Sequence, residues 1–311
     1  MRPTGLGHRR EPLAGCHPGQ SRKRQGLDYG SIFRRRGDYA KAREQGRHAE
    51  AVTHLKQAMA QAPAEVTLTR IECGTGATPT DVGQRFSDTF AYKDLKLTFT
   101  FSCYLIKHGD EYMVWDTGFA PGSNANAPKV GIVERLAEVK VKPEQVKYVG
   151  ISHFHADHTG QLAPFASATL LIGKGDWDGI TAIPPMQGAN EAGFKDWMGA
   201  NPRKVEPLTL DKDVWGDGTV RVIRTPGHTP GHSSLLVRLS SGKNFLLSGD
   251  AAHFRENYES NGVPAFNYDR AQTVASIERM KKIAANLNAT VIIQHDLRDI
   301  GKLPAFPVAA K

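Results

Sequence analysis

The sequence predicts an α/β domain over residues 66–311, on three observations. From Val66 onward, short runs rich in β-branched and aromatic residues alternate with helical patterns. Several of these runs stop just before a histidine or an aspartate, which places polar groups on loops at strand ends, where an α/β scaffold carries its chemistry. An apolar content of 40% suits a buried core. No stretch approaches the roughly 20 uninterrupted apolar residues of a membrane-spanning helix, so no membrane association is expected.

Residues 1–65 form a separate leader. The net charge of +8 arises there: residues 1–60 hold 13 Lys or Arg against 5 Asp or Glu, whereas residues 61–311 hold 27 against 27. Runs such as RKRQG and FRRRGDY read as a disordered basic segment, and the rest of the chain has no charge reason to seek nucleic acid. Within the leader, Ala51, Leu55, Ala58 and Ala62 fall at helical spacing before Pro63, predicting one amphipathic helix over 46–62. The sequence AMA followed by QAPAE, residues 58–65, is similar to the small-residue end of a secretory signal peptide, without its apolar segment. A periplasmic or secreted location is the expectation, the cytoplasm the alternative, with residues 1–60 read as an altered start of an exported precursor.

The runs LTFTFSCYLI, YMVWD, VKYVGIS, ATLLIG, VRVIRT, SSLLVRL, KNFLLSG and ATVIIQ read as strands, and residues 129–138 and 269–286 as helices. Three cysteines, Cys16, Cys73 and Cys103, are too few and scattered for a disulfide scaffold or a thiolate metal site, although Cys73 and Cys103 could pair.

The chemistry concentrates in HFHADH. His153 and His155, two apart on extended chain, point the same way, and Asp157 and His158 follow within a tight turn. Imidazole nitrogen with carboxylate oxygen suits zinc, iron or manganese rather than calcium. Any one of these histidines alone would pass for a polar loop residue. His228, His232, His253 and His295 lie beside apolar strand runs as well, and the clustering favours a metal site.

This HxHxDH segment, followed by a distant His, an Asp after a strand and a last His, resembles the metallo-β-lactamase superfamily over about residues 66–311. The resemblance implies a four-layer αβ/βα sandwich with the site between two sheets. It assigns His153, His155 and His228 to one metal and Asp157, His158 and His295 to a second, with Asp250 bridging. Two divalent ions, zinc by default, are the implied cofactors. In TPGHTPGH, His228 ligates and His232 supports the loop. Asp116, in VWDTG, matches an aspartate beneath the metals that fixes a ligand imidazole's tautomer.

Two ions sharing a water lower its pKa to about 7, which implies hydrolysis, with Asp157 shuttling the proton. TPGHTPGHSSLLV, GDAAHFRENYE and IIQHD look most like N-acyl-homoserine lactone lactonases, the quorum-quenching enzymes. His253 stands where several of them carry a tyrosine that bonds the substrate carbonyl, and its imidazole can donate to a developing oxyanion. An acyl chain needs an apolar wall, for which Phe119, Ile183, Met186, Phe194, Trp197 and Phe266 are candidates, core packing being the competing role. Hydrolysis of a β-lactam, a thioester or an organophosphate, and an interaction module built on the basic leader, are the alternatives. The expected partner is a small-molecule substrate; the oligomeric state stays open, a homodimer included.

Overall fold

A computed structural model of the chain describes residues 64–311. The basic leader and the helix expected over 46–62 lie outside the described residues. The first half carries strands β1 (Val66–Thr75), β2 (Thr80–Asp81), β3 (Lys96–Leu97), β4 (Thr100–His108), β5 (Glu111–Trp115), β6 (Val146–Gly150) and β7 (Thr169–Gly173). The second half carries β8 (Val205–Leu208), β9 (Lys212–Asp213), β10 (Val220–Arg224), β11 (Ser233–Arg238), β12 (Asn244–Leu247) and β13 (Ala289–Ile292). The helices are α1 (Ile132–Glu138), α2 (Ala156–Thr159), α3 (Lys174–Thr181), α4 (Lys195–Met198), α5 (Arg255–Ser260) and α6 (Arg270–Leu287).

The strands form a six-stranded sheet in the order β1-β4-β5-β6-β7-β8, a five-stranded sheet in the order β13-β12-β11-β10-β9, and the small ladder β2-β3. Strand alternation decides how the sheets stack, because successive side chains leave a strand on opposite faces. Tyr104, Ile106, Met113, Trp115 and Leu171 from the first sheet meet Val220, Val222, Leu235, Val237, Phe245 and Leu247 from the second in one buried cluster. Their neighbours in sequence point outward: Leu105, Val114, Leu170 and Ile172 pack with Ile132 and Leu136 of α1 and Ile180 of α3, while Ile223, Leu236 and Leu246 pack under Met280 and Ala284 of α6. Helix, sheet, sheet and helix therefore make four layers, as the sequence resemblance implied.

The eight expected strand runs all contain observed strands, and α6 lies within a residue of expectation. Its start is fixed by Asp269, whose side chain accepts from Gln272 N at 2.9 Å. The first helix is shorter than expected, beginning after Gly131, where Ile132 N donates to the Gln161 side chain at 2.8 Å. Cys73 and Cys103, on neighbouring β1 and β4, form a disulfide with Cα atoms 5.8 Å apart.

Pairing directions bring the functional loops to one edge. β5 runs parallel to β6, with Trp115 opposite Gly150, so Asp116 and Ser152 emerge together. β12 runs parallel to β13, with Leu247 opposite Ile292, so Asp250 and His295 leave side by side. The turn joining β10 to β11 supplies residues 225–232 at the same rim.

Candidate metal centre

His153, His155, His228 and Asp250 present four ligand atoms within 4.8 Å of one another, and Asp157, His158, Asp250 and His295 present a second four under the same limit. Asp250 belongs to both sets. One carboxylate oxygen serves each: Oδ2 lies 3.7 Å from His153 Nε2 and 3.6 Å from His228 Nε2, and Oδ1 lies 3.3 Å from His158 Nε2 and 3.0 Å from His295 Nε2. All seven residues assigned by resemblance are thus brought together, with Asp250 common to both sets.

The opposite ring atoms are occupied in a way that aims the ligand atoms inward. His158 Nδ1 lies 2.9 Å from Asp116 Oδ2, while Ser152 N donates to Asp116 Oδ1 at 2.7 Å. His295 Nδ1 donates to the Thr100 carbonyl at 2.9 Å. These contacts protonate Nδ1 and leave Nε2 with its lone pair toward the site. His232 does the same one shell out: its Nδ1 donates to the Thr225 carbonyl at 2.9 Å and its Nε2 accepts from Asp250 N at 2.8 Å. It supports the loop and lies outside both clustered donor sets. Gly249 fits beside it because a Cβ there would come within 2.6 Å of His232 Nε2, and its φ of +53° suits glycine.

The donor set fits divalent cations. His153 Nε2 faces His155 Nδ1 at 2.7 Å and His155 Nδ1 faces His228 Nε2 at 3.1 Å, three nitrogens converging on one point. His158 Nε2 and Asp250 Oδ1 are buried without hydrogen-bond partners among the described residues. Burial, then neighbouring imidazoles, hold His153 well below the ordinary histidine range, and burial lowers His155 and His228 too, so these rings stay neutral and able to ligate. At the other set burial also opposes charge, but Asp250, Asp157 and Asp116 outweigh it and raise His158, and Asp250 and Asp157 likewise raise His295. Against burial, His158 and His295 draw Asp157 down to about 2. Three buried or half-buried carboxylates thus call for positive charge where the second ion would sit.

A cavity of about 830 Å³ opens over the centre. His155, Asp157, His228, Asp250, His253 and His295 form its floor, and Phe86, Phe99, Phe101, Phe154, Met186 and Phe266 its apolar wall. Of the six wall candidates named from sequence, Met186 and Phe266 line it. Phe194 and Trp197 are instead core residues at 0% and 1% exposure, because the helical turns of residues 191–198 that carry them pack in the cluster of the first sheet. Ile183 is fully exposed, and Phe119 packs behind the wall on Phe101, ring centroids 4.8 Å apart. Sequence reasoning missed Phe99 and Phe101, which stand 5.6 Å and 5.0 Å from the His295 ring. Their spacing of two in LTFTFS was the available signal, since residues two apart share a strand face.

His253 lines the floor at 2% exposure. Its Nε2 lies 3.2 Å from Asp250 Oδ2, its Nδ1 has no partner among the described residues, and Phe86 packs against it at 5.1 Å. A second group missed from sequence is Asp176 on α3, fully buried, whose oxygens accept from Gly231 N at 2.5 Å and Thr229 Oγ1 at 2.9 Å. It clamps the turn that carries His228, and Arg224 bonds the Gly231 and His232 carbonyls of that turn.

This sandwich, with a bridged His and Asp centre at its rim, is the architecture of a known superfamily. The metallo-beta-lactamase superfamily model matches residues 101–295, and the chain belongs to that superfamily. Over 173 residues it is 35% identical to the N-acyl homoserine lactonase AttM of Rhizobium radiobacter, a match covering 53% of this chain and 64% of that relative. The match therefore spans less than two thirds of the relative's length. In fold, the chain is similar to the crystal structure of a quorum-quenching N-acyl homoserine lactone lactonase, with a TM-score of 0.67, 22% identity, and coverage of 80% of this chain and 99% of that one. It is also similar to AidC, a dizinc quorum-quenching lactonase, with a TM-score of 0.57, 16% identity, and coverage of 80% and 90%.

Proposed function

We propose that the protein is a metal-dependent hydrolase that opens the lactone ring of N-acyl homoserine lactones, with zinc as the resident ion. The observation that carries the reading is the bridged seven-residue donor set at the floor of an aromatic-walled cavity. The similarity to AttM over the matched residues supports the lactone assignment. Two divalent ions supply Lewis acidity toward an ester carbonyl and lower the pKa of a water to about 7.

The chain's own residues do the rest. His153, His155, His158, His228 and His295 hold the ions through nitrogens whose opposite ring atoms are tied or buried, so the centre is formed before substrate arrives. Asp157, 20% exposed, borders the cavity, and its Oδ2 faces His158 and His295 at 3.5 Å and 3.6 Å. That leaves Oδ1 to accept a proton from the attacking water and pass it to the departing ring oxygen. His253 donates its Nε2–H, which faces the centre beside Asp250 Oδ2, to the carbonyl oxygen of the substrate, in a pocket closed by Phe86 and Phe266. The aromatic wall takes the acyl chain and excludes water from it. The Cys73–Cys103 disulfide supports an exported location, since such bonds persist in oxidising compartments.

The test is a substrate panel on the metal-reconstituted full chain: acid release from N-acyl homoserine lactones beside hydrolysis of a β-lactam, a glutathione thioester and an organophosphate. The highest kcat/KM is expected on the lactones. A higher value on another class would overturn the lactone assignment and leave the hydrolase.

A further inference from the structure

Among the described residues, Arg85 is the one lysine or arginine lining the cavity over the metal centre. Its guanidinium carbon stands 4.9 Å from the Phe266 ring centre and 6.0 Å from that of Phe86. Both rings pack on the centre in turn: Phe266 lies 5.9 Å from His228 and 5.8 Å from His253. Phe266 thus separates the cation from the metal ligands by the thickness of one side chain.

The other charged groups lining the cavity, Asp157 and Asp250, belong to the metal sets. Several other arginines pair with carboxylates, as in Arg135 with Glu138, Arg255 with Asp299, Arg270 with Asp88 and Arg298 with Glu256. Arg85 has no such partner among the described residues and is held by ring faces instead. A guanidinium over an aromatic ring uses its face for that contact, which leaves its in-plane N–H groups able to fork onto a carboxylate.

We propose that Arg85 is an anion subsite of the cavity and selects substrates whose acyl part ends in a carboxylate. The proposal rests on the hydrolase reading and narrows its substrate class. The reacting ester lies at the metal floor, an apolar spacer runs along Phe86 and Phe266, and the remote acid reaches the guanidinium. A methyl-ended chain fills the same wall but leaves the guanidinium to water.

Binding of hexanedioate and hexanoate to the metal-reconstituted full chain, followed by calorimetry, tests this without requiring turnover. One carboxylate of either acid engages the metals, and only hexanedioate has a second for Arg85. Hexanedioate is expected to bind at least about fivefold more tightly, above the twofold advantage of two identical ends, as for a partly exposed ion pair. The ratio should fall to the statistical value in R85M and be partly kept in R85K. Equal binding of the two acids by the parent protein, or an undiminished ratio in R85M, overturns the proposal. Lactones ending in methyl or carboxylate form the second arm: the carboxylate preference should lie in KM and vanish in R85M. If neither lactone opens, the lactone assignment fails, and the binding ratio still decides for or against Arg85.

Discussion

Replacing Asp116 by asparagine tests how the second metal set is aimed. Asp116 is fully buried and accepts two hydrogen bonds, from Ser152 N at 2.7 Å and from His158 Nδ1 at 2.9 Å. Asparagine has the same shape and tolerates the φ of 56° found there, so the backbone has no reason to move. Its amide, however, has one acceptor and one donor where the site needs two acceptors. If the NH2 group faces His158, it turns the imidazole to the tautomer protonated on Nε2 and blocks the ligand atom. If it faces Ser152, two donors collide in a dry interior. Loss of such a supporting contact costs about 10–100-fold in metal affinity, or about 1.4–2.7 kcal/mol. Zinc titration against a competing chelator, on protein shown to be folded by circular dichroism, should give one weakened site and one nearly normal site. Two sites retained within about twofold of the parent would refute the role given to Asp116.

Other substitutions probe neighbouring parts of the centre. Burial pushes the Asp176 carboxyl up to about 7 from 3.8. The folded protein therefore keeps a proton that the unfolded chain releases near 3.8, so the stability from this group is full below that pH and is lost as pH rises to about 7. Urea unfolding of the metal-free protein should show D176N lacking a slope of about 1.4 kcal/mol per pH unit that the parent has between those values; equal slopes would remove Asp176 as its source. G227A places a Cβ 2.3 Å from Thr273 N at a φ of +138°, so a cost of about 1–3 kcal/mol from the dihedral, and more from the overlap, should appear as a lowered Tm and poor metal loading at His228. H253A should lower kcat on lactones by about 100-fold or more while keeping metal content; an unchanged rate would take His253 out of the mechanism.

Much of this site was legible because its chemistry sits in short sequence signals. HFHADH places four donors within six residues, and the strand runs before His228, Asp250 and His295 gave the other donors their positions at strand ends. The fold's two faces were legible in runs such as SSLLVRL, whose Leu235 and Val237 enter the inter-sheet core while Leu236 faces α6. Elements without such contrast were missed. Helix α3, KGDWDGIT, contains two glycines and no clear apolar stripe, and β8, VEPL, is an edge strand carrying a proline. Both are specified by what they pack against. The same limit hid Asp176 and Arg85: an isolated Asp in a helix and an isolated Arg in a loop acquire meaning only when distant segments bring Gly231 and Phe266 beside them. Trp197 and Phe194 failed in the opposite direction, since an aromatic residue in a loop-rich segment reads alike whether it faces a cavity or the core.

In the proposed function, one seven-residue centre holds two ions and hydrolysis depends on both. Metal-free full-length protein should be titrated with zinc while lactone opening is followed at constant pH and bound metal is measured in parallel. Activity is expected to rise until two equivalents are bound and to level there. Full activity without metal would contradict the dependence on two ions, as would saturation of both binding and rate at a single equivalent.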